Sequence, residues 1–551
     1  MKKIVTFFVE AIQSYTRLFL ISLIIVFIMT ILNMMIPYGM RAYLDSIIEN
    51  GDWQNFIIGL IIFAIYLFIF TIIKICWYVS LDNFGGQYIK DLELQIEISI
   101  SHASLKQIDR IGLNKIKHMM YSDLLDVFRV IGHHMPSVFG SLLVIAAVLV
   151  LSFAYDSVVT AFIFFSLIIG LSISFFSRKL IAKMAGKTNS ALKSFNADTN
   201  EFVDLLALHQ TNNVLYYFLN KTAAIIHHFI QIAKREDKII YFFTGLVNNY
   251  NTLFRIALSA FLSLPIINNS IVNLVFFTLL SNTVMEEGQK LEQLIQQIVK
   301  SQISFENIEI LRSLQPRQSE SVNLDAIESI QFQNVSFSYQ KDGPMIFENV
   351  DFEFKKKDCI RLAGGNGSGK STLIKLILGL YPPTEGSISL NGVDIKDFTQ
   401  ESLNNEILYL NQEEQFLNTT IKEYLNLISY GNADEDELDR CSQLSNFNLM
   451  WDTKIENNGQ SLSTGQRKKL LLMKLLLRIE RSSVIILDEV EAGLDQSTKE
   501  QYYAFINQCC KDTNKIFIVI THEKNNDIIK FNKEFQIIDN KIITKEIRSS
   551  V

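Results

Sequence analysis

The residues from 364 to 372 have the types and the spacing of a loop that binds phosphate groups. Residues with strand propensity, from Cys359 to Leu362, come just before the loop, and an apolar run with helical character, from Leu373 to Leu380, follows it. A phosphate loop requires this order of strand, glycine-rich loop and helix. The loop residues are Gly364, Gly365, Asn366, Gly367, Ser368, Gly369, Lys370, Ser371 and Thr372.

The chemistry of such a loop follows from its residue types. Glycine allows successive backbone N–H groups to point inward, which makes a cradle for a phosphate group. The helix that follows adds its positive N-terminal end. In this pattern Lys370 reaches the β- and γ-phosphates of a nucleoside triphosphate, and Ser371 binds Mg²⁺. The sequence therefore predicts a site for ATP and Mg²⁺.

The chain around this loop has 551 residues, enough for several domains, and its composition is uneven. Hydrophobic residues make up 49% and charged residues 20% of the whole. Nearly uncharged runs are concentrated in residues 1–300, whereas residues 330–551 have the mixed composition of a soluble α/β domain. The formal net charge of −6 gives no basic footprint for nucleic acid. We therefore expect a membrane domain before a soluble one, and no nucleic-acid partner.

Four runs in the first half are long and apolar enough to cross a bilayer as helices, since a span needs about 20 mostly apolar residues. Two more are less clean. Between residues 239 and 285 the only charged residue is Arg255, and Pro265 with the pair Asn268-Asn269 offers a place to turn. Asp156 alone separates the third run from the fourth, which predicts a tight hairpin. The six predicted spans cover residues 15–38, 56–79, 135–155, 157–177, 241–262 and 267–286.

An even number of spans places both ends of the chain on one side of the membrane. That side is the cytoplasm, because ATP is there, so we expect a multi-pass protein of the plasma (inner) membrane with a cytoplasmic ATPase domain. The long segments 81–134 and 178–238, which have helical periodicity, also fall inside. Basic residues flank the spans on this side, as is typical of cytoplasmic loops: Lys2, Lys3, Arg178, Lys179, Lys183 and Lys187.

Polar residues inside the predicted spans have two interpretations. They line a polar substrate path, as intramembrane polar groups often do, or they form hydrogen bonds between helices. Arg255 has a third, in which its side chain reaches the outer surface. The asparagines concerned are Asn33, Asn248, Asn249, Asn251, Asn273 and Asn282.

A polar segment separates the two halves. We place the membrane domain at residues 1–310, the linker at 311–328 and the second domain at 329–551. Five further motifs accompany the phosphate loop in the second domain: Tyr339 before it, Gln412 after it, the run Leu462-Ser463-Thr464-Gly465-Gln466, the acid pair Asp488-Glu489 with Asp495, and His522.

Residues 329–545 resemble the ATP-binding cassette of ABC transporters, because these motifs occur in that family's order. The resemblance implies an α-helical membrane domain, with six transmembrane helices and long cytoplasmic extensions, followed by an α/β P-loop ATPase domain. Residues 107–112 resemble the first coupling region, where such an extension docks on the ATPase domain. Two departures stand out: Thr464 replaces the usual first glycine of the LSGGQ motif, and Val490-Glu491 replaces the usual Pro-Thr.

The resemblance also assigns roles to the motif residues. Tyr339 is implied to stack on adenine, Glu489 to act as general base and His522 to contact the γ-phosphate. Metal binding is implied for Ser371, Asp488 and Gln412, of which Gln412 also links to the membrane domain. The remaining contacts to ATP on the opposite subunit, and communication between subunits, fall to Ser463, Gly465, Gln466 and Asp495.

One cassette supplies only half of each such site, so the resemblance implies a dimer with a second copy or a homologous half-transporter. The order of the domains resembles ABC exporters, with membrane lipid and an exported substrate as further partners. The run LSTGQRKK is similar to the branch that exports cyclic or modified peptides, and a lipid or a drug-like amphiphile is the alternative. A hypothesis of another class is an ATP-gated channel or a membrane-tethered sensor.

Overall fold

The chain folds into two compact units. The computed structural model describes residues 2–50, 53–212, 214–263, 271–315, 324, 326–340, 343–411, 414–431, 433–491, 496–512, 514–521 and 529–547. One compact unit comprises Met1–Ser101 and Gly112–Leu314, and the other comprises His102–Ile111 and Gln315–Val551.

The first unit is helical throughout its described residues. Two π-helical segments, Met119–Asp123 and Arg129–His134, interrupt its helices. The helices up to the second unit are α1 (Lys2–Ser14), α2 (Thr16–Asn50), α3 (Trp53–His102), α4 (Leu105–Ile111), α5 (Leu113–His118), α6 (Leu124–Phe128), α7 (Met135–Tyr155), α8 (Ser157–Asp204), α9 (Leu206–Asn212), α10 (Leu215–Leu262), α11 (Ile271–Lys300) and α12 (Gln302–Arg312). All but α4 lie in the first unit, apart from the last residue of α3.

A single residue makes the hairpin between α7 and α8. Asp156 has an extended backbone, with φ of −154°, which ends α7. Its carboxylate accepts hydrogen bonds from the backbone N–H groups of Val158 at 2.8 Å and Val159 at 3.1 Å. These two donors are among those that a helix leaves unpaired at its start, so Asp156 is the N-cap of α8.

Four stretches of the described residues are long and apolar enough to span a membrane: Thr16–Arg41, Ile57–His102, Leu113–Tyr155 and Ser157–Ser177. Helices α10 and α11 lie where the fifth and sixth spans are predicted, but their described residues are more polar and do not meet the same standard. The predicted turn at Pro265, Asn268 and Asn269 lies outside the described residues. Several spans continue well beyond bilayer length, since α3 has 50 residues and α8 has 48.

Glycine permits one close approach between helices in this unit. A Cβ at Gly85 of α3 would lie 2.6 Å from the Cα of Gly132, in the second π-helical segment, and 3.1 Å from Phe128. Small residues allow such backbones to touch in helical membrane domains. The neighbouring Gly86 has nothing within 4 Å of the same position.

The second unit combines strands and helices. In chain order its elements are β1 (Ser329–Phe337), β2 (Phe347–Lys355), β3 (Cys359–Gly364), α13 (Lys370–Ile377), β4 (Glu385–Leu390), β5 (Val393–Asp394), α14 (Gln400–Glu406), β6 (Ile407–Leu410), α15 (Ile421–Ile428), α16 (Glu435–Ser445), α17 (Thr464–Arg478), β7 (Val484–Asp488), α18 (Gln496–Asp512), β8 (Ile516–Ile520), β9 (Lys533–Ile538) and β10 (Lys541–Glu546).

Two sheets organise these elements. The smaller is antiparallel, in the order β2-β1-β4-β5, and the larger has the order β10-β9-β3-β8-β7-β6. In the larger sheet β3 pairs with β8, β8 with β7 and β7 with β6, all in parallel. Strands β7 and β8 are almost entirely buried runs of Val, Ile, Leu and Phe, as expected for strands covered on both faces. The carboxyl ends of β3, β7 and β8 therefore meet at one edge.

A short helix from the first half of the chain belongs to this unit. Leu105 of α4 packs against the hydrophobic core of the second unit. The hydroxyl of Tyr381 donates a hydrogen bond to the carboxylate of Asp109. Residues 107–112, which resemble a coupling region, thus overlap a segment that folds with the second unit.

The glycine contact gives a prediction with a built-in control. Gly85→Ala should destabilise the protein by about 1–3 kcal/mol, because its methyl group would strike the backbone of Gly132. Gly86→Ala adds a methyl group in open space and should be neutral or stabilising by up to about 1 kcal/mol. Thermal unfolding in detergent measures both variants. Equal loss of stability in the two would contradict the assigned contact.

Candidate nucleotide-binding site

The phosphate loop connects β3 to α13, and its backbone requires glycine at two places. Gly367 and Gly369 have φ of 76° and 108°, in the left-handed region that other residues rarely adopt. A Cβ at Gly369 would also lie 2.9 Å from a side-chain carbon of Ile346. A Cβ at Gly364 would lie 2.5 Å from the hydroxyl oxygen of Ser368. A side chain at Gly364 or Gly369 would therefore clash with its neighbours, so the loop keeps this tight shape only with glycine at these positions.

The polar groups of the loop fit a phosphate ligand. The ammonium group of Lys370 donates hydrogen bonds to the carbonyl oxygens of Gly364 at 2.8 Å and Gly365 at 3.1 Å, so it lies across the loop. The Ser368 hydroxyl oxygen is buried and has no hydrogen-bond partner in the described part of the chain. Ser371, in the first turn of α13, is exposed. These groups supply one positive charge and hydroxyls to an anion at the N-terminus of α13.

Tyr339 lies beside α13 in a small aromatic cluster. Its ring is 39% exposed and meets the rings of Phe337 and Tyr381 edge-on, at centroid distances of 5.0 and 5.2 Å. Its hydroxyl lies 3.1 Å from that of Thr372. The ammonium group of Lys375 lies 5.5 Å from the ring centroid. These contacts hold the ring in one position while leaving enough of it exposed for a base to stack on it.

The acid pair lies at the end of β7. Asp488 is the last residue of the strand and Glu489 follows it with φ of 51°, a left-handed conformation that is uncommon for glutamate. The N–H of Glu489 donates a 3.0 Å hydrogen bond to the carbonyl oxygen of Ile520 at the end of β8. The turn is therefore tied to the neighbouring strand, and such strained positions cluster at functional sites.

Asp488 has a partner that sequence reasoning missed. The hydroxyl of Tyr409, on β6, donates a 3.1 Å hydrogen bond to the Asp488 carboxylate. Burial raises the pKa of Asp488, whereas the hydrogen bond from Tyr409 and the positive charge of Lys370 lower it. The effect of Lys370 shows that the phosphate loop and the acid pair share one electrostatic environment. The residues around Tyr409 in the sequence do not predict this contact, because it depends on the order of the strands in the sheet.

Glu491, where the resemblance expects threonine, is a buried acid. It is 5% exposed, and burial raises its pKa while a hydrogen bond from Thr521 lowers it. Lys468 of α17 is equally buried, and burial lowers its pKa. The charges of Glu491 and Glu489 oppose that shift, so an electrostatic link joins α17 to the end of β7.

The LSTGQ run forms the N-terminus of α17. Ser463 is the N-cap: its hydroxyl accepts from the backbone N–H of Gln466 at 3.2 Å, and the Gln466 side chain accepts from the N–H of Ser463 at 2.8 Å. This reciprocal pair is a capping box. Ser463 and Thr464 are exposed, and nothing lies within 4 Å of a Cβ at Gly465.

The structure brings together part of the predicted site. The phosphate loop, Tyr339, Asp488 and Glu489 gather around the N-terminus of α13 and the adjoining sheet edge. Gln412, Asp495 and His522 lie outside the described residues, so their roles stay predictions.

Polar residues of the first unit divide between the two interpretations of the sequence. The amide of Gln289 on α11 donates a 3.2 Å hydrogen bond to Asn248 on α10, which is a contact between helices. Asn33 and Asn282 line a cavity. Arg255 is exposed, hydrogen-bonds the carbonyl oxygen of Asn251 in its own helix at 3.4 Å, and is not on that cavity's wall.

Comparison with known proteins agrees with this site. Residues 347–492 match the family model described as ABC transporter. The microcin-J25 export ATP-binding/permease protein McjD of Escherichia coli is 26% identical over 350 residues, which is 62% of this chain and 56% of that protein. The ATP-dependent lipid A-core flippase of Haemophilus influenzae is 30% identical over 200 residues, 35% of this chain and 33% of its own. The matches therefore span 56% and 33% of the lengths of these two relatives.

A solved structure shares the fold along almost the whole chain. A bacterial Atm1-family ABC exporter with ATP bound superposes with a TM-score of 0.83 at 16% identity, over 96% of this chain and 95% of that one. The predicted fold class is confirmed, and the resemblance to ABC transporters is confirmed for residues 347–492: an α/β domain that carries this match follows a helical domain with apolar helices.

The Tyr409 contact predicts a shift in pH dependence. The predicted role of Asp488 as a metal ligand requires an ionised carboxylate. Because burial raises the pKa of Asp488, Mg²⁺-dependent ATP affinity should be lost, as the pH is lowered, at a higher pH than an ordinary aspartate would give. Tyr409→Phe removes a hydrogen bond that lowers this pKa, so the fall should move to still higher pH. Fluorescent-ATP titration across acidic to neutral pH measures the midpoint.

The matched control for this prediction is Tyr430→Phe, at an exposed tyrosine whose hydroxyl contacts only the carbonyl oxygen of Asn404 among the described residues. Its pH profile should match that of the unaltered protein. Superimposable profiles for all three proteins would show that Tyr409 does not govern the ionisation of Asp488.

Proposed function

We propose that this protein is an ATP-driven efflux transporter of the plasma membrane that exports a peptide or another amphiphilic compound. The ATPase domain lies in the cytoplasm, and two copies, or one copy and a homologous half-transporter, form the working unit. A lipid or multidrug substrate is the alternative within the same class.

The observation that carries this proposal is the placement of the phosphate loop and the acid pair at one sheet edge. In this proposal Lys370 contacts the transferred phosphoryl group, and Glu489 orients the attacking water. Ser371 and Asp488 are the residues that would hold Mg²⁺, which when bound neutralises charge on the phosphates. His522 and Gln412 complete this assignment from the motif order alone.

The surface around α17 supports the need for a second cassette. Ser463 and Thr464 are exposed, and the backbone at Gly465 is open to approach. A helix N-terminus of this kind suits the γ-phosphate of a nucleotide. The chain has one phosphate loop and one LSTGQ run, so two chains would supply two complete sites, with Asp495 placed by its motif at their contact.

The relatives support export but leave the substrate class broad. The printed names include a microcin exporter and a lipid A-core flippase. A peptide is favoured by the LSTGQRKK run, which is similar to exporters of modified peptides.

The decisive variants act on turnover and not on the fold. Lys370→Ala and Glu489→Gln should each reduce ATP hydrolysis in proteoliposomes by at least about 100-fold, since each removes a group that acts on the reacting phosphate or water. Glu489→Gln should still bind ATP, because the carboxylate is not needed for binding. Lys541→Gln, at an exposed position on the edge strand β10, is the control.

ATP-driven uptake of peptide into inside-out vesicles should disappear with hydrolysis in both variants. Full transport by Glu489→Gln without hydrolysis would instead favour an ATP-gated channel or sensor. Undiminished hydrolysis in both variants would remove the proposal altogether.

A further inference from the structure

A cavity of about 670 Å³ lies among α2, α3, α7 and α11 in the first unit. Its volume is within the range of sites that hold drug-sized ligands. Apolar and aromatic side chains form part of the wall, among them Met29 and Phe70. Four charged side chains also line it: Lys74, Glu286, Glu287 and Lys290.

Two of these charges are already satisfied by the protein. Glu287 is 8% exposed; it accepts a 2.7 Å hydrogen bond from the hydroxyl of Ser141 and forms a 2.5 Å ion pair with Lys290. The ion pair is local, between residues three apart on α11, and the hydrogen bond from Ser141 fixes the carboxylate against α7. Glu287 and Lys290 therefore neutralise each other's charge and need no charged ligand.

The other two charges are not paired. Within the described residues, neither Lys74 nor Glu286 makes an ion pair or a side-chain hydrogen bond; both are exposed, and both line the cavity. Lys74 belongs to one of the apolar stretches long enough to span the membrane. A charge at such a place is costly, and it usually faces a water-filled path or a bound partner. Among the described residues, the wall thus presents one unpaired cation and one unpaired anion.

Two neutral side chains on the same wall have unsatisfied polar atoms. The indole nitrogen of Trp77 and the amide oxygen of Asn282 are buried, and neither has a hydrogen-bond partner among the described residues. One is a donor and the other an acceptor. A buried polar atom without a partner is destabilising, so this side of the wall is less well satisfied than the Glu287–Lys290 side.

We infer that this cavity binds a short hydrophobic peptide with free termini, its carboxylate at Lys74 and its ammonium group at Glu286. This rests on the proposed function and narrows it, since a neutral drug-like amphiphile leaves both charges unmatched. The apolar part of the wall accepts the side chains of the peptide.

The test measures binding separately from turnover. The probes are the tetrapeptide Leu-Phe-Phe-Leu with free termini, its N-acetylated form, its C-amidated form and the form with both caps. Affinity is measured by calorimetry on the full-length protein in phosphatidylcholine nanodiscs, without nucleotide. The free peptide should bind about tenfold or more tightly than either singly capped form, because each cap removes one charged contact.

Two variants test which side chain binds which terminus of the peptide. Lys74→Met should bind the free and the C-amidated peptides alike, while still discriminating against N-acetylation. Glu286→Gln should bind the free and the N-acetylated peptides alike, while still discriminating against C-amidation. Lys234→Met and Glu97→Gln, at exposed positions outside the cavity, should keep the discrimination of the unaltered protein. Discrimination among probes is independent of any uniform loss of affinity caused by misfolding.

Three results would overturn the inference. The capped peptides bind as tightly as the free one; or each cavity variant weakens all four probes equally; or phosphatidylethanolamine, added to the nanodiscs, displaces the peptide, which would make the cavity a lipid-headgroup site. Retained peptide binding without peptide-stimulated ATP hydrolysis would count against the proposed export function and leave the cavity assignment standing.

Discussion

The parallel pairing of β3, β8 and β7 is the constraint on which the rest of the site depends. Parallel strands end at the same edge, so pairing alone brings the phosphate loop after β3 near the acid pair after β7, with β8 between them. The hydrogen bond from the N–H of Glu489 to the carbonyl oxygen of Ile520 then locks the turn of one strand to the end of the next. Residues more than a hundred positions apart in sequence become neighbours without any long side chain reaching across.

Nearby charges and hydrogen bonds also set the ionisation of the acid that strand pairing places at this edge. The buried edge raises the pKa of Asp488, and two groups from different elements, Lys370 and Tyr409, oppose that rise. The proposed role of Asp488 as a ligand of Mg²⁺ at neutral pH needs this opposition, because a protonated carboxyl group is a poor metal ligand. Glu491 adds a further buried acid just after β7, and its negative charge opposes the lowering of the Lys468 pKa that burial causes.

Local patterns predict the elements that carry their own signals. The glycines of the phosphate loop, the cap at Asp156 and the capping box of Ser463 with Gln466 are encoded within a few residues, so the sequence places them. The contact between Tyr409 and Asp488 cannot be predicted in this way, because it depends on which strands become neighbours. Similarly, asparagine content alone does not distinguish Asn248, which bonds to a neighbouring helix, from Asn282, which lines the cavity.

In the proposed dimer, each ATP site combines the phosphate loop of one chain with the LSTGQ run of the other. Complementation tests it most directly: Lys370→Ala chains are mixed with Ser463→Arg chains before reconstitution, and ATP hydrolysis is measured. Each variant alone should be inactive, whereas a mixed dimer contains one site with both faces intact and should regain hydrolysis. A mixture as inactive as its two components would contradict a shared site.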